Sequence, residues 1–164
     1  MIDTEHRPLP WLVSLPLAIA PVVAASVIGS LATLPNIPGW YASIAKPWFT
    51  PPNWIFGPVW TILYAMMAYA MFRILRRPAQ ERRIWPIAAF LLQVTLNAAW
   101  SVAFFGGQSP GLGMIVIVPL CLSVAWNLAL FWRHDRVSGA LLAPYLAWVT
   151  FAGALNFAIW RLNG

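Results

Sequence analysis

Five long apolar stretches constrain this 164-residue chain more than any other feature. They run over about Trp11–Leu34, Trp54–Leu75, Trp85–Phe105, Leu112–Trp132 and Ala140–Trp160. A helix rises about 1.5 Å per residue, so about 20 apolar residues cross a hydrocarbon core roughly 30 Å thick. Hydrophobic residues make up 61% of the chain and charged ones 9%, where soluble domains carry about 25% charged. The expected fold is an all-α membrane protein: one five-helix domain over 1–164, with a segment 35–53 joining the first two spans. The sequence "AIA" at Ala18–Ala20 resembles a signal-peptidase site. Pro21 directly after it, and an apolar run that continues to Leu34, argue against cleavage.

The charges support five spans. An odd number puts the N-terminus, the 2–3 loop and the 4–5 loop on one side. That side holds Arg7, Arg73, Arg76, Arg77, Arg82, Arg83, Arg133 and Arg136, against only Lys46 and Arg161 on the other. All four acids (Asp3, Glu5, Glu81, Asp135) lie on the basic side too. In an inner membrane, the positive-inside rule places the N-terminus in the cytoplasm and the C-terminus outside. Topology also explains the basic residues better than nucleic-acid binding, which needs a basic face.

No Lys, Arg, Asp, Glu or His falls deep within a span, which disfavours a proton-coupled pump. No internal repeat suggests an inverted-repeat transporter. His6 and His134 lie on the basic side, no Cys/His group has metal spacing, and no glycine-rich phosphate loop is present. Conventional catalytic residues and metal ligands are therefore expected to be absent. Cys121, the only cysteine, has no partner for an internal disulfide.

The informative polar and aromatic groups lie inside the spans. Gln93, Asn97, Trp100 and Phe104 share one helical stripe, suited either to an amphipathic ligand or to hydrogen bonds between helices. Tyr145, Trp148, Ala152 and Asn156 share another, where Ala152 suits close helix packing, the reading the residues favour, or leaves room beside the Trp148 ring. Phe56, Trp60 and Tyr64 form an aromatic ridge; Trp60 and Tyr64 lie too deep for an interfacial belt, so the ridge is expected to face an internal cavity. Ala99, Ala103 and Gly107, and Ala25 with Gly29, have the spacing of close helix contacts. Leu63, Tyr69 and Arg73 satisfy a short sterol-recognition pattern, which is weak on its own. In "KPWFTPPNWIFGPVWTILY", Lys46–Tyr64, the prolines are expected to stiffen a covering loop, with Pro58 in the first turn of the second helix.

Three stretches together resemble the translocator protein / tryptophan-rich sensory protein family, formerly the peripheral-type benzodiazepine receptors. They are "WYASIAKPWFTPPNWIFGPVWTILY" (Trp40–Tyr64), "QVTLNAAWSVAFF" (Gln93–Phe105) and "PYLAWVTFAGALNFAIWRLN" (Pro144–Asn163). The resemblance implies a five-helix bundle, often a homodimer, with a pocket between helices closed by the loop after the first. Implied ligands are protoporphyrin and haem, sterols such as cholesterol, and synthetic benzodiazepines, held without an obligatory cofactor. It also implies pocket roles for Trp60, Asn97, Trp100, Trp148 and Ala152, and loop roles for Tyr41 and Pro51. Together with Phe56 and Tyr64 from the ridge, these are the candidate ligand-binding residues. Phe157 stands where the family's sterol segment carries Tyr, so the strict sterol pattern fails there.

Three functions follow as expectations. The first is a membrane receptor or carrier for tetrapyrroles and related hydrophobic molecules, with a sensory, regulatory or transport role in porphyrin and stress responses. The second is light-dependent degradation of bound porphyrin by the pocket tryptophans. The third is a partner or lipid contact through the arginine-rich 2–3 loop. The expected partners are the small hydrophobic ligand, membrane lipid and a second copy of the chain, not nucleic acid.

Overall fold

The computed structural model describes residues 9–77 and 83–164. Asp3, Glu5, His6, Arg7, Glu81 and Arg82 lie outside the described residues. Five helices are long and apolar enough to cross a membrane: α1 Trp11–Thr33, α2 Asn53–Leu75, α3 Ile84–Ser101, α4 Pro110–His134 and α5 Arg136–Asn163. The expected spans fall within one or two residues of these at most ends. The exceptions are α3, whose regular part stops at Ser101, four residues before Phe105, and α5, which ends three residues late and starts four early; at its start Asp135 caps it, the carboxylate accepting from Ser138 N at 3.1 Å.

Two helices run on beyond their regular part. A 3₁₀ turn (Leu34–Asn36) and a π-helical turn (Ile37–Tyr41) follow α1, and a π-helical turn (Val102–Gly106) follows α3. The 35–53 segment is therefore helical in its first part and irregular only after it. Pro58 lies in the interior of α2, not its first turn, which Asn53–Phe56 occupy. Lacking an N–H, Pro58 leaves the Trp54 carbonyl without its usual ladder donor.

The helices close into a ring in the order α1, α2, α5, α4, α3. α2 and α3 follow one another in sequence yet touch only lightly. They communicate through side chains that reach across the middle of the bundle. Small residues set the α1 contacts. Its buried stripe is Ser14, Ala18, Val22, Ala25 and Gly29, and a Cβ on Gly29 would come within 3.2 Å of Ser101 Oγ on α3. This is the close approach that small-residue spacing favours in membranes. The opposite side of α1 (Leu12, Leu15, Ile19, Val23, Val27, Leu31) is exposed and apolar, as a lipid-facing surface must be.

The tryptophans divide by position. Those at helix ends (Trp11, Trp54, Trp85, Trp132 and Trp160) are all exposed, as an interfacial belt requires. Trp60, Trp100 and Trp148 are half-buried and pack against the core.

At the basic end, Asp135 forms an ionic knot that the sequence reading missed. Its side chain receives Arg73 Nε at 2.7 Å, Arg77 Nη2 at 2.8 Å and Ser138 Oγ at 2.6 Å. Arg73 and Arg77 thereby tie the end of α2 to the α4–α5 turn. Gly139 makes that turn possible, because a Cβ there would lie 2.7 Å from the Trp132 Cα. Arg76 donates to the Leu9 carbonyl at 2.9 Å and Arg83 to the Leu75 carbonyl at 2.6 Å, so together with Arg73 and Arg77 they brace the protein's own helix ends. The sterol-type triplet does not share a face: Leu63 is buried while Tyr69 is exposed.

Candidate functional site

The site is built from α2, α3 and α5 around Asn97. A mid-helix asparagine in a bilayer gains from bonding its amide to neighbouring helices. Asn97 is buried and does so twice: Oδ1 accepts from Tyr64 Oη of α2 at 2.7 Å, and Nδ2 donates to Tyr145 Oη of α5 at 3.1 Å. α3 adjoins neither of those helices in the ring, so this relay crosses the interior. Of the two readings open for Asn97, interhelical bonding is thus realised in the protein. Gln93, one turn away, plays no part in the relay; neither of its side-chain amide atoms has a partner.

Trp60 covers the relay. Its ring lies 5.4 Å from Tyr64 and 6.2 Å, edge to face, from Tyr145. One turn nearer the loop, Phe56 meets Trp148 of α5 at 5.8 Å, and Trp148 meets Phe151 at 5.5 Å. The Trp148 indole N–H is buried with no acceptor. A buried orphan donor is disfavoured by about 1–3 kcal/mol, so this one is poised to gain from any acceptor brought beside it. Ala152, a turn along α5, is 8% exposed and brings no more than a methyl to that face.

Trp100 and Tyr41 belong to a neighbouring cluster. Trp100 Nε1 donates to Asn156 Oδ1 at 3.0 Å, and Asn156 Nδ2 donates to the Pro110 carbonyl at 2.8 Å. The Trp100 ring stacks on Phe104 at 5.5 Å. Gly113 admits this arrangement, since a Cβ there would press to 2.9 Å of the Phe104 ring. Tyr41 is buried and lies 5.4 Å from Phe105 and 6.4 Å from Phe104. The 35–53 segment thus lies across the ends of α3 and α5, with Phe49 reaching Phe151 at 6.4 Å. Pro51 is half-buried, two residues before α2.

The segment is also latched. Asn163 at the end of α5 accepts from Ala45 N at 2.9 Å and donates to Ala45 O at 2.9 Å, as a neighbouring strand would.

The candidate residues therefore form two adjoining groups. Phe56, Trp60, Tyr64, Asn97, Trp148 and Ala152 surround the relay; Tyr41 and Trp100 sit with Phe104 and Phe105. Beside Phe104 and Phe105, three more contributors were not among the candidates. Tyr145 and Asn156 share the Trp148 stripe and were recognisable by spacing. Phe151 is recognisable only once α5 faces the loop. No group of three or more His, Cys, Asp or Glu that could hold a metal ion occurs among the described residues. The arrangement offers aromatic faces, one free indole N–H and a hydrogen-bonded pair of phenols: groups for holding a flat amphipathic molecule.

The sequence matches the TspO/MBR family over residues 17–161. It is 41% identical over 150 residues to the "Tryptophan-rich protein TspO" of Archaeoglobus fulgidus, covering 89% of this chain and 94% of that one. To "Protein CrtK" of Rhodobacter capsulatus it is 39% identical, over 86% of this chain and 89% of the relative. To the human "Translocator protein" it is 31% identical, over 94% and 92%. Five spanning helices and this match agree, and the chain is a multi-pass integral membrane protein belonging to the TspO/MBR family.

Proposed function

We propose that this protein is a membrane receptor or carrier that binds a tetrapyrrole, protoporphyrin or haem, against the Phe56–Trp60–Trp148 wall beneath the 35–53 segment. The observation that carries the reading is the unsatisfied Trp148 N–H set among aromatic faces. A tetrapyrrole has a broad ring to stack on indoles and carboxylates to accept that hydrogen bond. The names of relatives, "Translocator protein" and the "Tryptophan-rich sensory protein" of Cereibacter sphaeroides, support transport or sensing as the use of that binding. On this reading Tyr41 and Pro51 close over the ligand, Ala152 sets the width of the slot and Asn97 holds the two phenols behind it.

Titration of protoporphyrin into detergent-purified protein in the dark tests this. Saturable quenching of tryptophan fluorescence is expected, and Trp60→Ala with Trp148→Ala should weaken binding at least about tenfold. Unchanged affinity in the double variant refutes the assigned site.

A second reading is light-dependent degradation of the bound porphyrin. It is favoured by the oxidisable rings of Trp60, Tyr64 and Tyr145, the two phenol rings lying 5.4 and 6.2 Å from the Trp60 ring. Illuminating the same complex separates the two: loss of the porphyrin Soret band no faster than for free porphyrin leaves binding alone.

A further inference from the structure

A groove of about 540 Å³ lies between α1 and α2 on the lipid-facing side. Leu15, Ile19 and Val23 of α1 form one wall, and Ala65, Ala68, Tyr69 and Phe72 of α2 form the other, with Tyr64 at the inner end. Ala65 and Ala68 leave the space; Tyr69 and Phe72, stacked at 6.5 Å, bound it.

Two observations say what fits. The first is depth. From Tyr64 to Phe72 the helix rises about 12 Å, close to half of a roughly 30 Å hydrocarbon core. The groove therefore runs from the basic interface to about mid-bilayer, the depth of one leaflet. The second is charge. Ala65, Tyr69, Phe72 and Arg76 recur at helical spacing along one side of α2, so Arg76 stands one turn beyond the groove's mouth. Arg76 Nη1 donates to the Leu9 carbonyl at 2.9 Å, which holds it beside the start of α1; that bond uses one of a guanidinium's five N–H donors. Arg73 lies alongside, 5.9 Å over the Tyr69 ring.

From these we infer that the α1–α2 groove is a binding site for an anionic phospholipid, with one acyl chain between Ala68 and Ile19 and the phosphate at Arg76. Basic residues at the end of an intramembrane groove attract acidic headgroups, by about 1 kcal/mol for each one near the surface. The site is distinct from the aromatic wall and meets it only at Tyr64, whose hydroxyl reaches Asn97.

The test places the protein in bilayers of equal phosphatidylglycerol and phosphatidylcholine, extracts it gently and counts retained lipids by native mass spectrometry. The wild-type protein should retain phosphatidylglycerol several-fold over phosphatidylcholine. Arg76→Gln should still retain lipid but lower that preference about fivefold. Ala68→Trp fills the groove and should strip lipid of both kinds. Ala65→Trp does the same from a lipid-exposed position that the fold tolerates, so a misfolded Ala68 variant does not decide the matter. Wild-type protein retaining lipid in the bulk ratio overturns the inference, as does undiminished retention in both groove-filled variants.

Discussion

The two ends of the bundle are fastened by different physics. At the basic end Asp135, 5% exposed, gathers Arg73, Arg77 and Ser138 and locks α2 to the α4–α5 turn with charge. At the other end rings of α2, α5 and the 35–53 segment meet edge to face, and the polar ties to the segment, Asn163 with Ala45 and Gln108 with Asn36, are exposed. Charge-assisted bonds are short and directional; ring contacts are individually weak and tolerate rearrangement. A bundle fixed at one end and adaptable at the other can open around a ligand without losing its topology. The Tyr64–Asn97–Tyr145 relay lies between these regimes.

Breaking the charged end should have the largest effect. Asp135→Ala leaves two arginines without their acceptor and α5 without its cap. We expect a loss of about 3 kcal/mol, the low end for a buried pair because the guanidiniums are 33% and 39% exposed. Thermal unfolding in detergent measures it. The same knot sets a pH dependence. The hydrogen bond from Arg73, helped by those from Ser138, holds the Asp135 carboxyl well below the usual carboxylate range. Its folded value lies below its unfolded one, so its contribution is fully present above about pH 4 and is lost as pH falls through the folded value. The contribution of Asp135 to the melting temperature should be independent of pH near neutrality and fall in acid, and Asp135→Asn should flatten that acid slope.

The relay comes next. Asn97→Leu removes an interhelical acceptor and donor and leaves two phenols unpaired. About 2 kcal/mol is expected, at about 1 kcal/mol for each bond. A loss as large as that of Asp135→Ala would erase the distinction between the centre and the charged end.

At the adaptable end the effects should shift from stability to ligand. Trp148→Phe keeps a ring and removes the orphan N–H. Protoporphyrin affinity should fall about fivefold with the melting temperature unchanged; a drop in stability instead would make Trp148 a packing residue. The smallest effect belongs to Asn163→Ala, a few tenths of a kcal/mol, since its bonds to Ala45 are exposed. Faster hydrogen exchange at the Ala45 amide is the sensitive readout, and unchanged exchange there would show that ring packing alone holds the segment.

Much of the fold was legible because a bilayer restricts the choices. Each span had to be apolar and long, so five helices could be read directly, with their ends off by as much as four residues in α3 and α5. The candidate residues were legible where they broke that apolar rule: Asn97, Trp60 and Trp148 are conspicuous among Leu, Val and Ala. Less was legible where contact depends on which helices adjoin. Arg73 and Arg77 read as topology signals, since a positive charge beside a span looks the same whether it faces lipid headgroups or a buried carboxylate. Pro58 read as a first-turn residue because prolines favour that position, whereas Pro52 already precedes the first turn of α2.

What the sequence determined by itself was the number of spans and the residue types available to the interior, because transfer into hydrocarbon is set by each segment's own composition. Only the tertiary structure decided that α2 adjoins α5 and barely touches α3. That order brings Tyr64, Asn97 and Tyr145 together across sequence separations of 33 and 48 residues and places the Trp148 N–H without a partner. Helix packing in a membrane is settled by side-chain fit between whole faces, and no single segment carries that information.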